Sequence, residues 1–268
     1  MTREETNMHL PLIRRIDLRV RDRARMVDFY RCVLGLEIAS EGRGETLLSS
    51  TTDEAQIRLV ETSDAAIRRR HTTGLYHVAF LLPTRRALAQ RISALIEMDW
   101  PLHGLVDHGA SEALYLNDPE GNGLELAVDR RSSAWPFRDG KLAMFTESLS
   151  VDRFLQEGMS EAPPVLESPP IIGHVHLSVG DLADAEAFFV GELGLTVTQN
   201  TVPGALFFAK GEYHHHFAAN TWARARMSPT GPKQTGLIGC KMAEDLSLYL
   251  DLQQGYAAVR TSHEIASV

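Results

Sequence analysis

The chain has 268 residues, enough for one large domain or two ordinary ones, and its 44% hydrophobic content allows a sizeable core and argues against general disorder. A formal net charge of -8 with no basic tract argues against nucleic acid as the main partner, because phosphate binding needs clustered Lys and Arg; the Arg68-Arg69-Arg70 run is too short to change this and reads as a solvated loop. Two distant cysteines, Cys32 and Cys240, predict no disulfide framework and fit a reducing cytoplasm, while Arg3, Glu4 and Glu5 with no long apolar run predict neither signal peptide nor membrane span.

Taken in chain order, the elements repeat. Ile13 to Val20 alternates like a half-buried strand, and Ala24 to Leu34 carries Met26, Val27, Phe29, Tyr30 and Val33 at helical spacing, closed by Gly35. Short strands follow near Leu36 to Ser40, Thr46 to Ser50 and Gln56 to Glu61. The order returns with a strand over Leu75 to Leu82, a helix over Arg85 to Met98, and strands at Gly104 to Asp107, Ala113 to Asn117 and Gly123 to Val128. A connector from Arg130 to Pro170 holds Trp135-Pro136, a short helix from Leu149 to Gln156, and the pairs Pro163-Pro164 and Pro169-Pro170, which read as a domain boundary. The third unit starts at Ile172, with Asp181 capping a helix from Ala183 to Leu193 and strands at Leu195 to Asn200, Ala205 to Ala209 and Tyr213 to Asn220. Phe29 to Leu36 echoes Phe188 to Leu195, each segment ending in a Leu-Gly-Leu stop. A fourth unit should begin at Thr235-Gly236-Leu237, but the tail to Val268 is too short for a helix and four strands.

Histidine recurs at the first strand of two units, in Gly74-Leu75-Tyr76-His77 and in Ile172-Gly173-His174-Val175-His176. The second unit also carries Glu125 on its last strand, after an Asp118-Pro119-Glu120-Gly121 hairpin turn. Two imidazoles and one carboxylate leave open coordination positions, the set non-haem Fe(II) uses to activate oxygen. Alternation places His77 with Ala79 and Leu81 on one face, and Val78, Phe80 and Leu82 towards the helix. His176 shares the face of His174 and competes with it. Glu125 has the small face-mates Gly123 and Ala127, which leave room for a metal and substrate. A lone strand histidine is more often just hydrogen-bonded; the repeat is what raises the metal reading.

The Gly74-to-Leu82 segment, Ser111-Glu112-Ala113-Leu114-Tyr115-Leu116-Asn117-Asp118-Pro119, and Tyr213-His214-His215-His216 with Asn220-Thr221-Trp222 resemble the vicinal oxygen chelate superfamily. Within it they look like the bacillus-type catechol-2,3-dioxygenase group, and the resemblance covers most of the chain to about Leu237. It implies an α+β fold of repeated βαβββ modules pairing into incomplete barrels, here with the fourth module truncated or divergent. The organisation expected is an N-terminal domain over residues 10–129 (modules one and two), a connector over 130–170, and a C-terminal domain over 171–268 (module three plus an incomplete module four). A family site draws on two paired modules. Module one offers Arg15 and Asp17 at the ligand position and module four Gly239 and Cys240, so His77, Glu125 and His174 form the metal set, with module two facing module three. The resemblance also implies an acid/base histidine in the His214-His215-His216 run, best matched by His215, although alternation leaves the three open. It implies a substrate-binding role for Tyr115 and an assisting one for His108.

The implied activity is extradiol cleavage of a catechol with O2 on Fe(II), with Mn(II) able to substitute. Alternatives are a glyoxalase-like isomerase or thiol transferase, which would want a fourth ligand such as a second Glu, and a metal-free small-molecule-binding protein. Loss of the fourth module would expose the apolar side of module one and invite a homo-oligomer.

Overall fold

The structure is a computed structural model describing residues 12–69, 72–162, 168–222, 233–243, 246–251 and 256–261. Arg3, Glu4 and Glu5, Arg70, Pro163-Pro164 and the chain end at Val268 lie outside the described residues. Module one is strand β1 (Ile13–Val20), helix α1 (Arg23–Leu34) and strands β2 (Glu37–Gly42), β3 (Glu45–Ser49) and β4 (Gln56–Glu61). The helix starts where the Asp22 carboxylate accepts from Arg25 N–H, and stops at Gly35, whose φ of 70° is left-handed and suits a residue without Cβ. Its stripe of Met26, Val27, Phe29, Tyr30, Val33 and Leu34 is buried against the sheet, as the spacing predicts.

Module two is β5 (Gly74–Leu81), α2 (Arg85–Glu97), β6 (Leu102–Asp107), β7 (Ser111–Asn117) and β8 (Gly123–Asp129). The connector is more structured than a linker. It forms a 3-10 turn, a small hairpin of β9 (Phe137–Arg138) and β10 (Lys141–Leu142), strand β11 (Glu147–Ser148) on the edge of β6, and α3 (Val151–Ser160). Helix α3 packs on α2, with Phe154 buried under the Arg85 guanidinium at 4.3 Å.

Module three is β12 (Ile171–Ser178), α4 (Leu182–Glu186), β13 (Thr196–Gln199), β14 (Ala205–Ala209) and β15 (Phe217–Asn220). Asp181 caps α4 by accepting from Ala183 N–H. The helix does not continue as α to Leu193: residues Ala187–Glu192 widen into a π turn. Adjacent Phe188 and Phe189 are both buried there, and Phe189 stacks on Phe208 and Phe217; the wider turn accommodates both rings. The last strand begins at Phe217 rather than Tyr213, because the histidine run turns irregularly to satisfy its own polar atoms.

The tail adds β16 (Gly236–Met242), β17 (Leu246–Asp251) and β18 (Tyr256–Thr261), an antiparallel meander with no helix among the described residues. Strand β16 pairs antiparallel with β1 from Ile13 to Arg19, and Ile16, Leu18 and Val20 are fully buried. The expected exposure of module one's apolar side is therefore corrected. Strand β16 covers the β1 edge, and β17 and β18 extend the sheet outward from it.

The strands form two large sheets. Seven run in the order β18-β17-β16-β1-β4-β3-β2, and nine in the order β11-β6-β7-β8-β5-β12-β15-β14-β13. Each sheet draws on both sides of the connector. Modules two and three join through antiparallel β5 and β12, with His77 opposite His176. The Asp118–Gly121 turn does more than reverse the chain. Tyr30 Oη of α1 donates to Asp118 at 2.9 Å, and Glu120 accepts from Arg21 and Asp22 N–H, so this turn docks module one onto module two. No helix among the described residues is long and apolar enough to cross a membrane.

Candidate metal centre

The β5–β12 seam sets the site. Ala79 of β5 lies opposite Glu125 of β8 in parallel register, and opposite His174 of β12 in antiparallel register. His77 is two residues back on the same face. Three side chains therefore converge from three adjacent strands. His77 Nε2 lies 3.1 Å from His174 Nε2, and a Glu125 oxygen lies 3.1 Å from the first and 3.3 Å from the second. All three residues are buried, and their ligand atoms lie within 4.8 Å of one another.

This donor set fits a divalent cation. Two ring nitrogens 3.1 Å apart share at most one hydrogen between them if neutral and repel if both are charged, so the pair is poorly satisfied by itself. His174 Nδ1 is also buried without a hydrogen-bond partner. Burial alone would favour the protonated acid on Glu125, but the imidazoles of His174 and His77 outweigh it and hold the carboxyl well below its usual range. Burial in turn holds the His174 imidazole below its usual range, against the pull of Glu125. Carboxylate and neutral imidazole are the forms that bind metal.

A cavity of about 410 Å³ opens over the trio. Tyr115 of β7 pairs directly with Glu125, and its phenol is held well above its usual range, by burial first and then by the Glu125 charge. Its Oη lies 2.8 Å from His108 Nε2, and His108 Nδ1 lies 2.8 Å from Phe145 O. A carbonyl only accepts, so Nδ1 of His108 carries the hydrogen and, in the neutral ring, Nε2 accepts from the Tyr115 hydroxyl.

The histidine run resolves by neighbours rather than by alternation. His215 lines the cavity, with its ring 4.1 Å from that of His174. His214 is turned to Asp129, with Nε2 3.2 Å from the carboxylate and Nδ1 2.8 Å from His215 Nδ1. The carboxylate takes the His214 Nε2 hydrogen. His214 Nδ1 then accepts from His215 Nδ1, leaving Nε2 as the basic nitrogen of His215. Burial, then the charges of His174 and His214, hold His215 well below the usual imidazole range. His216 is buried and accepts from Lys210 N–H at 3.2 Å, outside the cavity lining.

His176 also lines the cavity but is not a member of the trio: Asn220 Nδ2 donates to its Nε2 at 3.0 Å. Sequence reasoning missed Met144, Phe145 and Thr146, which bring the connector over the cavity, and also Gln199 and Trp222 as wall residues. A 41-residue connector was the available signal, since long segments inside compact proteins usually have a task. Gly123 does not simply leave room for a ligand. A Cβ there would stand 2.1 Å from Tyr76 O and 3.1 Å from His77 Cβ, so glycine permits close approach of β8 to β5.

The sequence matches the model of the Glyoxalase/Bleomycin resistance protein/Dioxygenase superfamily over residues 12–126 and 171–259. The chain belongs to this superfamily. It is 37% identical over 227 residues to a catechol-2,3-dioxygenase of Bacillus subtilis (strain 168), covering 82% of this chain and 78% of that protein. It is 29% identical over 106 residues to biphenyl-2,3-diol 1,2-dioxygenase 3 of Rhodococcus globerulus, covering 39% of this chain and 56% of that one. The crystal structure of a candidate dioxygenase from Bacillus subtilis subsp. subtilis str. 168 superposes with a TM-score of 0.58 at 13% identity, covering 87% of this chain and 70% of that one, a likeness of fold.

Proposed function

We propose that the protein is an extradiol ring-cleaving dioxygenase acting on a catechol and O2, with Fe(II) held by His77, Glu125 and His174. The observation carrying this reading is the convergence of those three residues beneath a cavity that also receives His215 and the Tyr115–His108 pair. When bound, the metal would supply a Lewis-acidic, redox-active centre; Mn(II) would suit the same hard donors. His215 Nε2 is placed to take a phenolic proton from the substrate, and Asp129 fixes its tautomer through His214. Tyr115 Oη, whose own hydrogen goes to His108, is placed to accept from a substrate hydroxyl beside Glu125. Phe145, Met144 and Phe207 exclude water around the ring.

A glyoxalase-like isomerase is disfavoured because Phe217–Asn220, the last strand of module three, brings no second Glu to the trio. The test is anaerobic reconstitution with Fe(II), then oxygen uptake and ring-opened product absorbance on adding catechol. Iron bound stoichiometrically with no catechol-dependent oxygen uptake would sink the proposal. His215→Ala is expected to lower kcat by roughly 10²- to 10⁴-fold while iron stays bound.

A further inference from the structure

His176 has no task in that reading, although its ring lies 4.9 Å from that of His77. Two neighbours place its hydrogen. The buried Asn220 side chain accepts Trp222 N–H on Oδ1 at 3.3 Å, so Nδ2 is the atom turned to His176 Nε2, at 3.0 Å. An amide N–H only donates. Nε2 therefore accepts, and the ring, neutral in that state, carries its hydrogen on Nδ1. Nδ1 makes no hydrogen bond among the described residues and, unlike His174 Nδ1, is not shut away from open space. The space it meets is the cavity of about 410 Å³. His176 lines that cavity, and so do the rings packed around it, Tyr76, Phe207 and Trp222. Tyr76 and Trp222 are 45% and 50% exposed and so stand at the cavity mouth, which puts His176 between the metal position and solvent.

Resting on the dioxygenase reading, we infer that His176 is a specificity-determining residue whose Nδ1–H donates a hydrogen bond to a neutral acceptor, such as a ketone oxygen, on a ring substituent of the catechol. The two catechol oxygens are already met in that reading by the metal, His215 and Tyr115, so this donor is left for another part of the substrate. A substituent pointing from the ring to the mouth passes His176, with Tyr76, Phe207 and Trp222 beside it. A donor facing a cavity is hydrated until a ligand arrives. A substituent that displaces this water without supplying an acceptor loses the bond, and sites built around a polar contact discriminate against analogues that lack it.

The experiment uses the Fe(II)-loaded protein and two matched pairs, 3- and 4-acetonylcatechol against 3- and 4-isobutylcatechol, in which a ketone oxygen replaces a methyl group away from the ring. The ketone-to-hydrocarbon ratio of kcat/KM is measured with wild type, His176→Phe, which keeps a ring without the donor, and His176→Gln, which keeps an N–H. Anaerobic calorimetry gives the same ratio for Kd without turnover. For at least one pair the ratio is expected to fall roughly tenfold from wild type to His176→Phe and to be largely retained in His176→Gln. A ratio that His176→Phe leaves unchanged for both pairs overturns the inference. A second readout needs no variant: the infrared carbonyl stretch of the ketone bound to wild type is expected at the lowered frequency of a hydrogen-bonded ketone, and a stretch at its apolar-solvent position for both isomers overturns the inference as well. Failure of the dioxygenase reading would look different: bare catechol would not be turned over by iron-loaded wild type, while the calorimetric ratios and the carbonyl stretch would still decide the role of His176.

Discussion

The two sheets share one plan and carry opposite chemistry at matching positions. In the nine-stranded sheet Ala79 faces Glu125 and His174, and His77 faces His176. In the seven-stranded sheet Asp17 faces Arg58 and Gly239, and Arg15 faces Lys241. Arginine thus stands where His77 and Glu125 stand, and glycine where His174 stands. Cys240 pairs with Ile16, away from that face. The arginines are balanced within the chain: Asp17, 2% exposed, lies 2.7 Å from Arg15 and 3.7 Å from Arg58. At the other sheet three lone-pair donors converge, with no lysine or arginine paired to them among the described residues. On the proposed function, the half-barrel whose charges close internally has no use for a metal, and the other one would hold it.

Removing a ligand should have the largest effect and should fall on one sheet only. His77→Ala and His174→Ala are each expected to lose bound iron and catechol-dependent oxygen uptake while keeping the native circular dichroism spectrum. Full iron content in both folded variants would remove the assignment. Asp17→Ala is the matching break in the other sheet. It removes the buried carboxylate shared by Arg15 and Arg58, while Arg58 keeps Glu45, at a cost of roughly 2–4 kcal/mol, discounted because both arginines are partly exposed. Urea unfolding should register the loss while iron content per folded chain stays at the wild-type value; iron lost in parallel would mean the two sheets are not independent.

Gly123→Ala tests the seam itself. Its Cβ would collide with Tyr76 O and crowd His77, so β5 must shift. A stability loss of about 1–3 kcal/mol is expected, with metal affinity lowered by roughly tenfold as His77 is displaced. An unchanged Kd for metal in a competition titration would show that the seam yields without moving the ligand.

Most of this architecture was legible from repeats, because each module is a local pattern: Gly35 stops a helix by its φ, Asp181 caps by side-chain geometry, and alternation puts Val78 and Phe80 in the core with Leu88 and Ile92 of α2. The trio was legible because a chemical mismatch between modules one and two survives in the residue types. What stayed hidden is long-range. Nothing local says that Phe145 O fixes the His108 tautomer, that Gln199 lines the cavity, or that β16 pairs with β1. The π turn at Ala187–Glu192 is likewise set by packing of Phe188 and Phe189 rather than by propensity.

The smallest effect concerns one of the contacts between the two sheets. Asp118 is buried, accepts from Tyr30 Oη of module one, and also from Glu120 N–H, Asn122 N–H and Asn122 Nδ2. Burial pushes its carboxyl up to about 6, against the pull of those hydrogen bonds. The folded protein therefore holds this proton more tightly than the unfolded chain, whose Asp titrates near about 3.9. Its contribution to stability is fully present below about pH 4 and is lost as pH rises through about 6. Asp118→Asn keeps an acceptor for the Glu120 and Asn122 N–H groups but cannot titrate. The wild type should accordingly gain in Tm relative to this variant as pH falls from about 6.5 to 4, with little change in their difference above pH 7. A difference that stays constant across that window would mean the Asp118 carboxyl keeps its charge in the fold, and that the docking turn is held by an ion rather than by a neutral acid.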